Sequence, residues 1–399
     1  MTPEPLLWLD ALQSSGIRPG LSRMRALLRE LGNPERACPS IIVAGTNGKG
    51  STSSTLASIL NASGYSTGLY TSPHLVELRE RWMIGGSMIS SAMLCAAIEK
   101  LRAAADRADI VPTYFEALTL LAFIAFVDCD VMVLEVGMGG RLDATNVVRP
   151  LAALITPIGF DHTEFLGTTI RQIAGEKAGV IHRGAIVLTS NDDPRVLGVL
   201  RHRAAMFGNP FHVVTSTHAT PLAGDFQQRN AGLAVRAAEE LRPLLPRITT
   251  DSIERGVART RWRGRLERIE RGGKTIWIDG GHNAHAIAAI VPFIIEHVPS
   301  PRLLVFGIMS DKNVAEVTYA LFPLFDAIIA TEPYPPRSES ASRLVVLAGD
   351  DGVAEPDPRV AIEKALASDY SSIVIAGSLY LAGAAIEFFS RGGAETRRA

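Results

Sequence analysis

The chain has 399 residues, more than one hydrophobic core usually organises, so two domains are expected. Its 40 Lys and Arg residues nearly balance 41 Asp and Glu residues, and the net charge of −1 argues against the basic surface that duplex DNA or RNA requires. The three cysteines, Cys38, Cys95 and Cys129, form no C-x-x-C pair, which disfavours a zinc site and a disulfide framework.

The beginning of the chain lacks the basic and long apolar regions of a secretion signal. The longest apolar run, residues 117–127, is too short to cross a bilayer. We therefore expect a cytoplasmic protein with no membrane partner and no nucleic-acid partner.

Residues 41–52 read IIVAGTNGKGST, a short apolar strand that runs into a glycine-rich turn with one lysine. Backbone N–H groups in the turn can hold phosphate oxygens, and the helix predicted at 53–61 adds the positive end of its dipole. Lys49 would neutralise phosphate charge, and a hydroxyl could reach Mg²⁺. A nucleoside triphosphate is therefore expected at Gly48, Lys49, Gly50, Ser51 and Thr52.

The spacing of this loop differs from the common form G-x-x-x-x-G-K-[ST], because its first glycines are closer together and Gly50 follows the lysine. This difference disfavours a generic GTPase, a P-loop kinase or a motor ATPase. The alternative that the segment is only a tight turn is weakened by the apolar strand before it and the helix after it.

Short β-branched runs then alternate with helical patterns along the chain. Strands are predicted at 41–44, Val131–Glu135, 152–156 and Ile186–Thr189, and a second series at 275–279, Arg302–Phe306, 327–331 and 373–376. Gly272 and Gly273 lie between the two series and indicate a break. We predict an α/β fold with an N-terminal P-loop mononucleotide-binding domain at 1–268, built on a mostly parallel sheet, and a smaller Rossmann-like α/β domain at 269–399.

Glu135 ends a strand that is predicted to be buried, where a carboxylate is costly unless it binds metal or pairs with a cation. The chain then turns through Gly137, Gly139 and Gly140 toward Arg141. A structural ion pair between Glu135 and Arg141 is the alternative to a metal-binding role.

His162 follows the strand at 152–156, at the edge where open α/β sheets bind ligands. An imidazole suits a Mg²⁺ site only where oxygen ligands dominate. Lone histidines are more often ordinary core or surface groups. His162 is therefore a candidate metal ligand only in combination with Glu135 and the phosphate loop.

Lys177 lies in a helical pattern among small residues, which crowds its amine and lowers the pKa of an ammonium. A neutral amine can add CO₂ to become a carbamate, a carboxylate equivalent that can bind a second Mg²⁺. An ordinary lysine on a solvated helix face is the alternative, and from the residues alone it is favoured.

Several motifs together resemble one family. They are GTNGKGST, TSPHL at 71–75, EVGMGGRLDATN at 135–146, the pair Asp161 and His162, GEKAGVI at 175–181, FQQRN, GRLE and DGGHN. In this order they resemble a folylpolyglutamate synthase/dihydrofolate synthase of the Mur ligase superfamily, over nearly the whole chain. The resemblance implies an ATP-binding domain of the Mur ligase central type followed by a glutamate ligase domain.

The resemblance implies an ATP-dependent ligase that joins L-glutamate to dihydropteroate or to the γ-carboxylate of a reduced folate. An acyl phosphate would be the intermediate, with ADP and phosphate as products. ATP, two Mg²⁺ ions and a carbamylated Lys177 are the implied cofactors, and small molecules are the implied partners of a monomer. Catalysis is assigned to Lys49, Glu135, His162 and Lys177, and Mg²⁺ binding to Ser72, Glu135, His162 and Lys177.

The remaining site residues are carried over by resemblance. Positions implied to contact ATP are Asn230, Arg265 and Asp279. Positions implied to contact the substrates are Arg23, Thr113, Phe115, Glu116, Asp143, His282 and Asn283. Gly280 and Gly281 depart from the alanine that family members commonly carry before the His-Asn pair, which leaves substrate preference open.

Two other functions remain open at this point. A Mur-type ligase for a non-folate carboxylate would keep the nucleotide machinery and change the acceptor loops. A non-catalytic nucleotide-binding protein would be expected to lose Lys49, Glu135, His162 or Lys177, and all four are present.

Overall fold

The computed structural model describes residues 3–16 and 18–395, which form two compact units. The first unit comprises the residues up to His74, residues 79–221 and residues 227–261. The second comprises residues 75–78, residues 222–226 and the chain from Trp262 onward. The domain limits 1–268 and 269–399 stay a prediction.

The first unit contains an eight-stranded, mostly parallel sheet. Its strands are β1 (Ser40–Ala44), β2 (Thr67–Tyr70), β3 (Trp82–Ile84), β4 (Ser87–Met88), β5 (Val131–Glu135), β6 (Ala152–Ile155), β7 (Ile186–Thr189) and β8 (Phe211–Val213). Their order in space is β4-β3-β2-β5-β1-β6-β7-β8, and β3 and β4 alone pair antiparallel to their neighbours. The inner strands β1, β5 and β6 are buried along their whole length, as expected when helices cover both faces.

The helices that begin before residue 260 are α1 (Glu4–Ala11), α2 (Ser22–Glu30), α3 (Lys49–Ala62), α4 (Ser91–Ala108), α5 (Tyr114–Ala125), α6 (Thr163–Leu166), α7 (Ile170–Ala178), α8 (Pro194–Ala205), α9 (Asp225–Leu241) and α10 (Thr250–Ala258). Alternate residues of β1 enter different cores. Ile41 and Val43 pack with α3, α9 and α10, whereas Ile42 and Ala44 pack with α7 and α8.

The predicted start of the helix after the phosphate loop was wrong. We expected residue 53, but α3 begins at Lys49. Gly48 has a left-handed backbone with φ of 84°, so it ends the turn and the residues after it wind directly into helix. Ser51 and Thr52 therefore lie in the first turn of α3.

The second unit contains a six-stranded sheet with the strand order β13-β12-β11-β14-β10-β9. Its strands are β9 (Glu267–Arg271), β10 (Lys274–Ile278), β11 (Arg302–Phe306), β12 (Ala327–Ala330), β13 (Gly352–Ala354) and β14 (Ser372–Ala376). Its helices are α11 (Ala284–His297), α12 (Val314–Leu321), α13 (Ala341–Ala348), α14 (Pro358–Ala367) and α15 (Leu379–Glu395). Only β9 is antiparallel to its neighbour, and each face of the sheet has its own apolar core. The predicted α/β fold class is confirmed.

Gly272 and Gly273, which the sequence suggested as a break, form the turn between β9 and β10. Their φ values of 57° and 76° are those of a two-residue hairpin turn, where glycine avoids the strain of a positive φ.

The register of the first sheet brings three strand ends together. Val43 of β1 lies beside Glu135 of β5, and Ala44 lies beside Ile155 of β6. The segments that follow these strands therefore leave the sheet at one edge, which is the usual ligand edge of a parallel sheet. Among the described residues, we find no helix with the length and apolar character needed to span a bilayer.

Two helical glycines of the first unit provide a matched stability test. A Cβ at Gly256 of α10 would lie 2.4 Å from the Cα of Ile59 in α3, whereas a Cβ at Gly198 of α8 would meet nothing within 4 Å. We expect Gly256→Ala to lower the free energy of unfolding by about 1–3 kcal/mol through overpacking. Gly198→Ala should raise it by about 0.5–1 kcal/mol. Urea denaturation of both variants measures this, and equal effects would contradict the close packing of α3 and α10.

Candidate active site

The phosphate loop, residues 45–48, connects β1 to α3 and needs glycine at both ends. Gly45 has φ of 148° and Gly48 has φ of 84°. A Cβ at Gly45 would lie 1.8 Å from Thr156 Oγ1, and one at Gly48 would lie 2.4 Å from Asn230 Oδ1. A larger residue at either position would have a strained backbone and would require these neighbours to shift.

Neighbouring segments fix the loop in place. Thr46 N donates to Pro157 O across 2.9 Å, and Thr46 Oγ1 donates to Gly159 O across 3.1 Å. Asn230 of α9, a predicted ATP contact, is buried beside Gly48 and donates from Nδ2 to Gln227 Oε1 across 3.0 Å. The segment after β6 and the start of α9 thus support the loop.

Two lysine amines converge on the loop. Lys49 Nζ donates to Thr46 O across 3.0 Å, and Lys177 Nζ of α7 donates to Gly45 O across 2.7 Å. Lys177 is buried, and this burial, followed by the charge of Lys49, lowers the pKa of the Lys177 ammonium to about 7. The alternative of a solvated surface lysine is wrong, because α7 packs Lys177 against the loop.

Glu135 and Ser72 meet at the same edge. Glu135 is buried at the end of β5, and its Oε2 accepts a hydrogen bond from Ser72 N across 3.0 Å. They are neighbours because β2, which precedes Ser72, pairs in parallel with β5. Arg141, the suggested ion partner of Glu135, has its Nη2 2.6 Å from Glu176 Oε1.

His162 lies in a more exposed position than the other predicted metal ligands. It precedes α6 with a left-handed backbone of φ 51°, and its backbone N donates to Asp161 Oδ1 across 2.9 Å. Its Nε2 lies 3.9 Å from the same carboxylate oxygen. The structure therefore places His162 on the loop that supports Thr46, between the phosphate loop and α6.

The donor chemistry of the predicted metal site fits Mg²⁺. Across residues 3–16 and 18–395, we find no cluster of three or more His, Cys, Asp and Glu side chains that could hold a metal ion. In the predicted set, the Ser72 hydroxyl, the Glu135 carboxylate and a Lys177 carbamate would be hard oxygen donors, and the His162 imidazole would be the one nitrogen donor beside them. Thr52 Oγ1 is buried in the first turn of α3 without a hydrogen-bond partner.

Asp143 organises the loop after β5. Its Oδ2 accepts from Gly137 N and Met138 N, both across 3.1 Å. Its Oδ1 accepts from Thr145 N across 3.0 Å and from Thr145 Oγ1 across 2.6 Å. Burial raises the pKa of the Asp143 carboxyl, and these hydrogen bonds oppose that rise.

A cavity of about 310 Å³ adjoins this loop. Four of the predicted substrate residues line it: Thr113, Phe115, Glu116 and Asp143. The ring of Phe115 lies so close to Gly137 that a Cβ there would be 2.3 Å from Phe115 Cζ. Residues at the start of α5 and in the loop after β5 thus line one pocket.

Arg23 of α2 is not among the residues that line this pocket, but it contacts one of them, Glu116. Its Nη2 lies 3.0 Å from Glu116 Oε1, and its Nε donates to both carboxylate oxygens across 3.1 Å. Glu116 also closes a capping box at the start of α5, because its Oε2 accepts from Thr113 N across 2.8 Å. Arg23 and Thr113 therefore fix the Glu116 carboxylate in one orientation.

In the second unit, the predicted ATP residues Arg265 and Asp279 are near each other. Asp279 is buried after β10, and its carboxylate accepts from Leu266 N across 2.9 Å and from Gly281 N across 2.7 Å. Burial raises the pKa of the Asp279 carboxyl, and the charge of Arg265 opposes that rise. Arg265 Nη1 donates to Gly264 O across 2.9 Å.

His282 and Asn283 follow Asp279 and immediately precede α11. Asn283 caps this helix by accepting from Ala286 N across 2.8 Å, and His282 Nδ1 lies 2.9 Å from Gly280 O. A Cβ at Gly281 would lie 2.8 Å from Asp279 Oδ1, so the glycine allows the carboxylate to stay close. The roles of Arg265, Asp279, His282 and Asn283 in binding stay predictions.

Four other residues of the first unit were not singled out by the sequence: His74, Arg81, Leu142 and Phe165. Arg81 Nε donates to His74 Nδ1 across 2.9 Å, and burial, followed by the Arg81 charge, lowers the pKa of His74 to about 4. Leu142 and Phe165 line the cavity. Their signal was present, since His74 lies in TSPHL and the other two lie in or beside motifs of the resemblance.

Comparisons with known proteins agree with this geometry. The Mur ligase middle domain matches residues 43–209, and the Mur ligase glutamate ligase domain matches residues 264–379. The dihydrofolate synthase/folylpolyglutamate synthase of Bacillus subtilis is 31% identical over 94% of this chain and 95% of its own length. The Mycobacterium tuberculosis protein of the same name is 33% identical over 94% of this chain and 91% of its own.

Solved structures give the same result. The Mycobacterium tuberculosis folylpolyglutamate synthase complexed with ADP superposes with a TM-score of 0.88 at 33% identity, covering 96% of this chain and 98% of that one. E. coli FolC in complex with DHPP and ADP also superposes with a TM-score of 0.88, at 28% identity, covering 100% and 99%. The chain therefore belongs to the folylpolyglutamate synthase/dihydrofolate synthase family of ligases, as its motifs indicated.

Proposed function

We propose that this protein joins L-glutamate to dihydropteroate, to the γ-carboxylate of a reduced folate, or to both, and uses ATP to do so. One observation carries the proposal: α7 contacts both the wall of the pocket and the phosphate loop. A Cβ at Gly140, in the pocket wall, would lie 2.9 Å from Lys177 O, while Lys177 Nζ donates to Gly45 O. If an acceptor bound in the pocket extended its carboxylate out of it, that carboxylate would thus lie near the ATP phosphates.

The pocket suits a flat heterocycle with hydrogen-bonding edges. Its apolar wall includes Phe115 and Met138, and its polar groups include Thr113, Glu116 and Asp143. A mostly apolar cleft with a few fixed polar groups is the usual form of a small-molecule site. The family match favours a pterin-bearing acceptor over the non-folate carboxylate that the sequence left open.

The chemistry requires two bond exchanges. A carboxylate oxygen of the acceptor attacks the γ-phosphorus of ATP, the bond to the ADP oxygen breaks, and an acyl phosphate forms. The amine of glutamate then attacks the acyl carbon, phosphate leaves with the bonding electrons, and the amine loses a proton. Lys49 and the backbone of the phosphate loop hold and neutralise the phosphates, so positioning and charge account for the first step.

Mg²⁺ belongs to this proposal as a bound cofactor. Ser72, Glu135, His162 and a carbamylated Lys177 would between them hold the two Mg²⁺ ions that the resemblance implies, and the ions would supply positive charge to the phosphate oxygens. Lys177 suits carbamylation because a pKa of about 7 leaves much of its amine neutral at neutral pH. The neutral nitrogen attacks CO₂ and loses a proton, which converts a buried cation into a carboxylate equivalent.

We further propose that Asn230, Arg265 and Asp279 contact ATP, that His282 and Asn283 contact the incoming glutamate, and that the chain acts as a monomer on small molecules. The resemblance supports these assignments. Two alanine variants test the ATP and glutamate assignments. Arg265→Ala should raise KM for ATP, and His282→Ala should raise KM for glutamate.

The function is tested by phosphate release from Mg²⁺-ATP with L-glutamate and either dihydropteroate or tetrahydrofolate. Each substrate is omitted in turn. We expect release only when acceptor and glutamate are both present, and mass spectrometry should show one glutamate added per phosphate. Release without any acceptor, or no release with either acceptor, would contradict the proposal.

Replacing Lys49 tests the phosphate loop. Lys49→Ala should lower kcat by at least about 10²-fold, because a fixed positive charge at the transferring phosphoryl group is lost. Lys100→Ala, an exposed position on α4, serves as the matched control and should keep wild-type kcat. Comparable rates for both variants would exclude Lys49 from the chemistry.

Replacing Lys177 tests the carbamate. Lys177→Ala should be nearly inactive and should recover partial activity with added short carboxylates. In the wild type, kcat should rise with pH through about 7, since the amine must lose its proton before it adds CO₂. Removal of dissolved CO₂ should lower kcat, and bicarbonate should restore it. A fully active Lys177→Ala enzyme would overturn the assignment.

A further inference from the structure

Two large apolar side chains of the pocket are more exposed than their type usually is. Phe165 of α6 is 53% exposed, and Leu142, in the loop after β5, is 44% exposed. Single exposed apolar residues are common, but these two come from separate segments and line the same cavity. We call this pair the apolar rim.

The rest of the pocket differs in polarity. Thr113, Glu116 and Asp143 also line the cavity, and all three are buried. The hydrogen bonds described above hold their side chains in fixed orientations. The pocket therefore has fixed polar groups in its buried part, beside apolar residues such as Phe115 and Met138, and two exposed apolar side chains at its rim.

A pteroyl acceptor likewise has a part with polar groups and an apolar part. Its pterin carries hydrogen-bonding groups along its edges, whereas its p-aminobenzoyl ring offers only apolar faces. A cavity of about 310 Å³ is at the low end for small-molecule sites, so it suits the pterin, and the following ring would lie across the rim. Flat aromatic rings pack on phenylalanine in offset or edge-to-face geometry.

We propose that Phe165, with Leu142, holds the p-aminobenzoyl ring of the acceptor and determines how tightly the acceptor binds. This inference rests on the proposed function and adds a specificity-determining residue to it. The rim would act on affinity and not on phosphoryl transfer, because neither side chain carries a charge or a proton for the reaction.

The surrounding contacts hold Phe165 where this role requires it. Phe165 N and Leu166 N both donate to His162 O across 3.0 Å. Leu166 is buried and packs against the pocket loop, since a Cβ at Gly139 would lie 2.9 Å from Leu166 Cδ2. Phe165 is therefore tied to the backbone of His162 and to the pocket wall, so a ring on it would lead the acceptor toward the proposed catalytic edge.

The test compares two phenylalanines that flank His162. Phe165→Ala should raise KM for the acceptor about tenfold and leave kcat and KM for ATP within about twofold. Phe165→Tyr should restore most of the affinity, because a flat ring remains. Phe160→Ala removes an equally exposed side chain, 56% exposed, which is not among the residues that line the cavity. It should leave KM for the acceptor unchanged.

Two further measurements show whether a negative result contradicts the role of the apolar rim alone or the proposed function as well. Thermal denaturation should give the same midpoint for wild type and Phe165→Ala, and Leu142→Ala should raise KM for the acceptor to a smaller extent. An active wild type with unchanged acceptor KM in Phe165→Ala would overturn the rim alone. A wild type that uses neither dihydropteroate nor tetrahydrofolate would overturn the proposed function and the rim together.

Discussion

A buried lysine amine against a phosphate-binding loop is the contact on which the catalytic edge of the first unit depends. Lys177 Nζ donates to Gly45 O across 2.7 Å, and the charge of Lys49 is close enough to affect its pKa. Two ammonium groups in a desolvated place repel each other, so the site favours the loss of a proton from Lys177. Burying a charged lysine at this position would cost free energy. A lysine whose amine is neutral or chemically modified is better suited to it.

This contact requires α7 to lie on the backbone of the loop after β5, and glycines allow that approach. A Cβ at Gly140 would lie 2.8 Å from Glu176 O, and one at Gly179 would lie 2.4 Å from the Cα of Arg141. The same loop carries Asp143 and lines the cavity of about 310 Å³. One packing contact thus joins the phosphate loop to this cavity, and this arrangement suits the direct transfer proposed between ATP and the acceptor.

The sequence predicted most of the buried strands because they contain runs of apolar residues, as at 131–134 and 303–306. It did not predict the buried strand β2, nor the strands β3, β4, β8, β9 and β13, which are partly or fully exposed and so carry no clear pattern. Pairs such as Arg23 and Glu116 could not be found from spacing, since 93 residues separate them and only the folded chain brings them together. The predicted substrate residues came from family resemblance, and the pocket gives four of them a common location.

The central claim is that the acceptor carboxylate meets the γ-phosphate directly at this edge. It is tested most directly with an acceptor whose carboxylate carries ¹⁸O, incubated with Mg²⁺-ATP, L-glutamate and the protein. An acyl phosphate route transfers one acceptor oxygen to each phosphate released, so mass spectrometry of the phosphate should show one ¹⁸O atom per molecule. Phosphate that carries no label while the amide product forms would contradict the account.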